Sequence, residues 1–498
     1  MNNKIPSPAQ PMSTGIRGLD DILSGGLHPG RLYVCEGEPG SGKTTMALQF
    51  LVEGVKHGDR VLYITLAESE AELRAVAASH GWDMQGILIH EVIGSESELD
   101  PSQQYTMFHP GEVELGETMQ NILAAVRENK PARIVLDSLS ELQLLADSAL
   151  RYRRQVLALK QFLTNEGVTA LFLDDCTGDK ADLQVRSIAH GAVLLDNATK
   201  DYGAERRRIR VVKYRGVNFR GGYHDYKIVR GGLTVFPRLV ASETRVMEKR
   251  PQIASGLERL DTLLGGGLEE GTSTLISGPP GTGKSSLATQ FINAALGRGH
   301  RAAMFLFEES ASNLINRSAG LGMDLQAGLK DGRLLLQQID PAEMSPGEFA
   351  DSVCKAAQSG AKVIVIDSLN GYLHAMPDER FLTTHLHELL TYLGQRGVVT
   401  LLVGVQSGMM GGTMSSSVDA SYLADNVLML RYFEAAGEVK QAISVFKKRG
   451  SLHERTIRGF TLSPRGIEVG HVLREFHGIL TGVPTLNPAT GQSDGPSK

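Results

Sequence analysis

The sequence predicts an α/β protein of two tandem domains, each a mainly parallel sheet covered by helices on both faces. Length is the first sign: 498 residues exceed what one hydrophobic core usually supports and suggest two or three domains. Internal repetition is the second. Ser13 to Phe50, "STGIRGLDDILSGGLHPGRLYVCEGEPGSGKTTMALQF", matches Ala254 to Phe291, "ASGLERLDTLLGGGLEEGTSTLISGPPGTGKSSLATQF". Lys43 and Lys284 stand 241 positions apart, as do Glu68 and Glu309, so the register runs without a gap. The third sign is alternation. Short runs rich in Val, Ile and Leu alternate with helical patterns such as "TTMALQFLVEGVKHG" and "FLTTHLHELLTYLGQRG", each ending at glycine as helices tend to. Strands alternating with helices imply parallel pairing, with ligands bound beyond the carboxyl ends of the strands.

Later parallels shift slightly in register. "RIVLDSL" ending at Leu139 answers "VIVIDSL" ending at Leu369, and "VVKYRG" at 211–216 answers "VFKKRG" at 445–450. The expected organisation is a flexible N-terminus over 1–11, a first domain over 12–246 and a second over 247–478, joined near "ASETRVMEKRPQ". A C-terminal loop and flexible, Gly/Pro/Ser-rich tail follow over 479–498.

Composition narrows the class. With 41% hydrophobic and 21% charged residues and a formal net charge of −5, the chain reads as an ordinary globular protein, not a disordered, fibrous or membrane-embedded one. No sequence-wide basic excess invites nucleic acid; only Arg206-Arg207-Arg208-Ile209-Arg210 is locally basic. The longest apolar runs, such as Val363 to Ile366, fall far short of the roughly 20 residues that span a bilayer. No signal-peptide-like segment opens the chain, so the expected address is cytoplasmic. Cys35, Cys176 and Cys354 lack the spacing of a disulfide framework or a zinc site and are expected to be small buried residues.

Two motifs carry chemistry. Gly37-Glu-Pro-Gly-Ser-Gly-Lys43-Thr44 and Gly278-Pro-Pro-Gly-Thr-Gly-Lys284-Ser285 both fit G-x-x-x-x-G-K-[ST], each between an apolar run and a helical one. Backbone N–H groups of Gly40, Ser41, Gly42 and Thr45, and of Gly281, Thr282, Gly283 and Ser286, are expected to face phosphate oxygens at a helix N-terminus. Lys43 and Lys284 would reach the terminal phosphates of ATP, while Thr44 and Ser285 would ligate Mg²⁺. Asp137 and Asp367 end apolar strands, where a carboxylate can hold a Mg²⁺-bound water or cap a helix. "LAES" at Leu66–Ser69 and "FEES" at Phe307–Ser310 follow the next strand in each copy. Glu68, Glu308 and Glu309 there can deprotonate a nucleophile or cap the following helix.

Taken with "GLDDILSGGL", "GLERLDTLLGGGL", the K-x-R-G segments and "VLREFHGILTG" at 472–482, these motifs resemble the KaiC family over about residues 13–487. The resemblance implies tandem RecA-like P-loop NTPase domains in a homohexamer of two rings, with ATP at subunit interfaces. It implies ATPase activity in the first ring and serine/threonine-type autokinase and autophosphatase activity in the second, in a clock-like or signalling regulator. Paired glutamates are the family pattern; the second copy has Glu308 and Glu309, whereas the first has Ala67 and Glu68. Lys213 and Arg215, with Lys447 and Arg449, fall on a motif that reaches the neighbouring subunit's γ-phosphate, although "RRRIRVVKYRG" also reads as a charged edge strand. Ser421 and Tyr422 match the phosphorylated pair. A KaiB-like partner stays open, while the short tail argues against dependence on KaiA. Two other classes remain: a RecA-like recombination ATPase that binds DNA, and a nucleotide-gated scaffold without kinase activity.

Overall fold

The computed structural model describes residues 10–92, 110–175, 183–198, 203–240, 251–374, 382–405, 422–435, 437–479 and 485–486. Contacts divide the chain into two compact units that part between Arg238 and Leu239.

The first unit opens with α1 (Leu19–Ile22), β1 (Leu32–Gly37), α2 (Lys43–Lys56), β2 (Val61–Thr65), α3 (Glu70–His80) and β3 (Ile87–Glu91). It continues through α4 (Pro110–Asn129), β4 (Arg133–Asp137), α5 (Leu139–Leu144), α6 (Ala149–Asn165) and β5 (Thr169–Asp175). It closes with α7 (Leu183–Ile188), β6 (Gly191–Ala198), β7 (Arg206–Tyr214), β8 (His224–Val229) and β9 (Gly232–Phe236). The nine strands form one sheet in the order β3-β2-β4-β5-β1-β6-β7-β8-β9. Pairing is parallel from β3 to β6 and antiparallel from there on.

The second unit repeats this plan after a short ribbon. Its elements are β10 (Gln252–Ile253), α8 (Glu258–Leu263), β11 (Leu268–Glu269), β12 (Ser273–Gly278), α9 (Lys284–Gly297), β13 (Arg301–Leu306), α10 (Ala311–Gly320), α11 (Leu325–Lys330) and β14 (Leu334–Gln338). Then come α12 (Pro346–Gln358), β15 (Ala361–Asp367), α13 (Leu369–His374), α14 (Leu382–Gln395), β16 (Val399–Val405), β17 (Asn426–Ala435), β18 (Glu438–Lys448), β19 (Ile457–Ser463) and β20 (Gly466–Val472). The order β14-β13-β15-β16-β12-β17-β18-β19-β20 matches the first sheet strand for strand. The expected α/β class with helices on both faces is what the chain adopts. Each sheet separates two apolar clusters, one around Phe50 and Tyr63 and one around Phe172 in the first unit, with Phe291 and Phe305 on opposite faces in the second.

Both phosphate-loop strands lie centrally, between strands reached by crossovers in opposite directions, where ligands of open α/β sheets bind. The strands must be held at their far ends too. Arg133 opens β4, whose last residue is Asp137, and at 2% exposure it is the largest fully buried side chain. Its Nε donates to Asp59 Oδ2 at 2.7 Å and its Nη1 to Ser13 O at 2.7 Å and Phe50 O at 3.1 Å. Its guanidinium also lies 4.8 Å from the Phe50 ring centroid. The corresponding residue of β15 is Val363, so the second unit fills that place with an apolar side chain.

The Arg133 network predicts that Arg133→Ala destabilises the first unit by about 3–5 kcal/mol, because it strands buried carbonyls and the Asp59 carboxylate. Arg133→Met, which keeps most of the volume, should recover part of the loss. Denaturant midpoints of the first unfolding transition in the full chain check this.

Candidate functional site

Each loop depends on one glycine where the helix begins. Gly42 has φ 94° and Gly283 φ 90°, in the left-handed region that glycine enters without strain. A Cβ on Gly42 would stand 2.6 Å from Ile228 Cδ1, and one on Gly283 would stand 2.9 Å from Leu462 Cδ1. No side chain caps either helix start. The first-turn N–H groups are therefore left facing the loop, ready for an anion.

The two lysines are buried at the start of these helices. Lys43 Nζ donates to Gly37 O at 2.8 Å and Glu38 O at 3.1 Å and pairs with Asp175 Oδ1 at 2.7 Å. Lys284 Nζ donates to Pro279 O at 2.8 Å. Burial pulls the Lys284 pKa down to about 8, with Asp367 and Glu308 opposing the fall. Ser41 and Thr282 are fully buried in their loops, and Thr282 Oγ1 donates to Pro279 O at 2.8 Å. Thr45 Oγ1 lies 3.5 Å from His80 Nε2, and Ser286 is buried on α9.

The aspartates at the strand ends lie beside the loops' lysines and hydroxyls. Tyr63, on the adjoining strand β2, donates its hydroxyl to Asp137 Oδ2 at 2.5 Å. Burial raises the Asp137 pKa; hydrogen bonds from Tyr63 and Thr44 and the charge on Lys43 oppose the rise, and Asp175 adds to it. Asp367 is raised in the same way, against the Ser285 hydroxyl and Arg317 and with the help of Glu309 and Glu308. Its Oδ2 is buried with no hydrogen-bond partner among the described residues. Neither aspartate caps the helix that follows: Ser138 is the N-cap of α5, and Ser368 Oγ accepts from Gly371 N at 2.9 Å at the start of α13.

A carboxylate pushed toward its neutral form beside a hydroxyl is a fitting place for a cation or its water, which would restore the charge. Among the described residues no cluster of three or more His, Cys, Asp or Glu could hold a metal ion by itself.

The acidic strand ends differ between copies in a way residue identity did not reveal. Capping belongs to their neighbours: Ser69 and Glu72 form the capping box of α3, and Ser310 caps α10. Glu308 Oε1 accepts from Ser368 Oγ at 2.7 Å, while Glu309 Oε2 pairs with Arg317 Nη2 at 2.9 Å. In register, Glu68 corresponds to Glu309 and Val76 to Arg317, so the first unit lacks the cation that draws Glu309 aside. Glu68 instead has Asp137 and Lys43 as electrostatic neighbours, and its Oε2 is buried without a hydrogen-bond partner among the described residues. Burial and then Asp137 and Glu72 raise its pKa, against Lys43. Glu68 thus occupies the electrostatic position that Glu308 occupies beside Lys284.

The basic segments lie elsewhere. Lys213 pairs with Ala192 and Ala192 with Val34, three residues before Gly37 in β1, so Lys213 sits about 10 Å back from the loop along the sheet. Lys213 Nζ donates to Arg186 O at 2.6 Å and Arg215 Nη2 to Ser187 O at 2.8 Å. Lys160 joins them, donating to Ile188 O at 2.8 Å, and His190 beside these cations is depressed to about 4, first by burial. In the second unit Lys447 Nζ donates to Ala424 O at 2.7 Å and Arg449 stands 3.9 Å from Asp425. The edge-strand reading of "RRRIRVVKYRG" is overturned, because β7 lies between β6 and β8. Arg207 pairs with Glu205, and Arg208 with Asp196 at 2.9 Å, so two of the run's four arginines are matched by carboxylates.

Tyr422 is 55% exposed; Ser421 and Cys176 lie outside the described residues. Cys35 and Cys354 are buried, and no helix among the described residues is long and apolar enough to cross a membrane. Sequence reading missed Tyr63, Asp175, Lys160 and Arg317. Aligning the copies would have flagged Tyr63 against Met304 and Asp175 against Val405.

Loop, helix start and strand-end carboxylate, twice over on one sheet topology, define a tandem P-loop ATPase of the RecA-like class. A sequence model of the family described as "ATPase: KaiC" matches residues 12–240 and again 253–473. The circadian clock protein KaiC3 of Synechocystis sp. is 31% identical over 492 residues, spanning 97% of this chain and 95% of that protein. The circadian clock oscillator protein KaiC of a Picosynechococcus sp. is 30% identical, spanning 97% and 94%. That of Parathermosynechococcus lividus is 29% identical, spanning 95% and 87%. The chain belongs to the KaiC family of ATPases.

The depressed Lys284 gives a pH dependence. ATP phosphates favour the ammonium form, so binding at the second site takes up a proton above pH 8, and affinity should fall as pH rises through that value, by up to about tenfold per pH unit. Titration calorimetry of the full chain carrying Lys43→Ala, in buffers of different ionisation enthalpy, reads both effects.

Proposed function

We propose that this chain is a homohexameric ATPase and serine/threonine-type autokinase and autophosphatase that acts as a clock-like regulator through partner proteins. The observation that carries it is the separation of Lys213 and Arg215, and of Lys447 and Arg449, from the phosphate loops of their own units. Cations that lie behind their own sheet's nucleotide site, held there by backbone carbonyls and Asp425, can turn to a neighbour's, so in this reading the complete site is made by two copies. The clock-like role rests on the printed names of relatives that match nearly end to end. A KaiB-like protein on the first ring is the partner this reading favours.

In both units backbone N–H groups around Gly40–Thr45 and Gly281–Ser286 hold the triphosphate, and Lys43 or Lys284 neutralises its terminal oxygens. Thr44 with Asp137, and Ser285 with Asp367, would hold Mg²⁺, which when bound would supply charge neutralisation on the phosphates. In the first unit Glu68 alone takes the proton from the attacking water. In the second, Glu308, oriented by Ser368, takes the proton from the Ser421 hydroxyl as its oxygen attacks the γ-phosphorus. The bond from that phosphorus to the bridging oxygen breaks and ADP leaves with the electron pair. Tyr422 is the second acceptor, its hydroxyl farther from the backbone than a threonine's. The trans cations stabilise the charge that develops on the phosphoryl oxygens, while Arg317 holds the Glu309 carboxylate.

Incubation of the purified chain with γ-labelled ATP and mapping of the label tests the kinase. Label at Ser421 or Tyr422 is expected, reduced about 10²–10⁴-fold by Glu308→Gln. No label, or label indifferent to Glu308→Gln, would sink the kinase reading and leave the nucleotide-gated scaffold. For the first unit, Glu68→Gln in the full chain with Lys284→Ala should abolish hydrolysis. The unsubstituted Glu68 should also lose activity on acidification above the ordinary carboxylate range, because a raised pKa protonates the base earlier as pH falls.

A further inference from the structure

Asp175 is the last residue of β5 and pairs in the sheet with Gly37, the first residue of the phosphate loop. Its Oδ1 lies 2.7 Å from Lys43 Nζ. With Gly37 O at 2.8 Å and Glu38 O at 3.1 Å, that contact takes the third of the three donors an ammonium has. The second unit carries Val405 in the same ladder position, paired with Gly278, and among the described residues Lys284 forms no ion pair. Valine serves the same strand end, so the fold does not call for a carboxylate there. The Asp175 side chain is 32% exposed and would find water as readily as a lysine.

The surroundings are already acidic. Asp137 carries Asp175 among the charges that disfavour its ionised form, and Glu68 carries Asp137. A phosphate arriving at Lys43 must displace Asp175 from the ammonium and then remain close to its negative charge. We propose that Asp175 is an affinity-determining residue of the first site, which competes with polyphosphate for Lys43 and lets the first unit bind nucleotide less tightly than its own loop would allow. The inference rests on the reading of Lys43 as the phosphate-binding lysine of that site. Because the competitor is a charge, its effect grows with the charge on the ligand and vanishes for an uncharged nucleoside.

The test uses the full chain with Lys284→Ala to confine binding to the first site. ATP, ADP and adenosine affinities are measured for Asp175, Asp175→Asn and Asp175→Val. Asn keeps size and hydrogen bonding, and Val is the residue the second unit carries there. Both substitutions should tighten ATP about three- to thirtyfold, tighten ADP less, and leave adenosine unchanged. In a Lys43→Ala background the gain for ATP should shrink, since the contested ammonium is gone. Unchanged or weaker ATP binding in Asp175→Asn would overturn the proposal. An equal gain for adenosine, which a merely loosened pocket would give, would overturn it too. So would failure of both variants to fold, which would make Asp175 structural. If Lys43→Ala itself leaves first-site ATP affinity intact, the phosphate-lysine reading fails instead, a result distinct from the others.

Discussion

Each unit withdraws a lysine ammonium from water at the carboxyl end of its sheet, beneath a loop whose carbonyls accept from it and whose helix start stays open to an anion. A buried charge of that kind is tolerated only where partners or a ligand compensate it. The carboxylates, hydroxyls and strand ends around it are consequently constrained as a set. Asp137 and Asp367 end one strand, Glu68 and Glu308 follow the strand beside it, and burial with nearby negative charge holds Asp137, Asp367 and Glu68 toward their neutral forms. Under the proposed function, a site that crowds buried carboxylates around a lysine beside an uncapped helix start is matched to a ligand that brings both signs, a triphosphate with its divalent ion.

The two copies solve this on one scaffold with different side chains. Asp137 has the Tyr63 hydroxyl where Asp367 has Met304 beneath it and an unsatisfied oxygen. Lys43 has Asp175 where Lys284 has Val405 nearby. Glu309 has Arg317, where the first unit carries Val76 in register. The strand order, the loop conformation and the left-handed glycines are the same, so divergence has been confined to charge placement.

Much of this was legible in the sequence because the relevant signals are local. Loop spacing, the apolar run that ends in Asp137 or Asp367, and the gapless repeat each report on a few adjacent residues. Which way an acidic side chain turns is different. Glu308 and Glu309 are neighbours in sequence, yet one meets Ser368 and the other Arg317, and those meetings depend on a turn and on a strand from another part of the chain. Asp175 meets Lys43 only because β5 lies beside β1, and the distance from Lys213 to its own loop follows from strand order. Residues 241–250, 406–421 and the chain ends lie outside the described parts, so the join between domains and the Ser421 region stay as sequence expectations.

The central ladder also has a mechanical meaning. β1 ends in the phosphate loop, β6 is paired along it, and β7 is paired along β6 to the segment that carries Lys213 and Arg215. Under the proposed ring assembly, the backbone that grips one subunit's nucleotide is hydrogen-bonded, two strands away, to the backbone that presents cations to the adjoining nucleotide. Occupancy at one seam would then be felt at the next through a stiff crosspiece, with no flexible arm between them, and the units of the ring would fire or pause in concert more readily than alone.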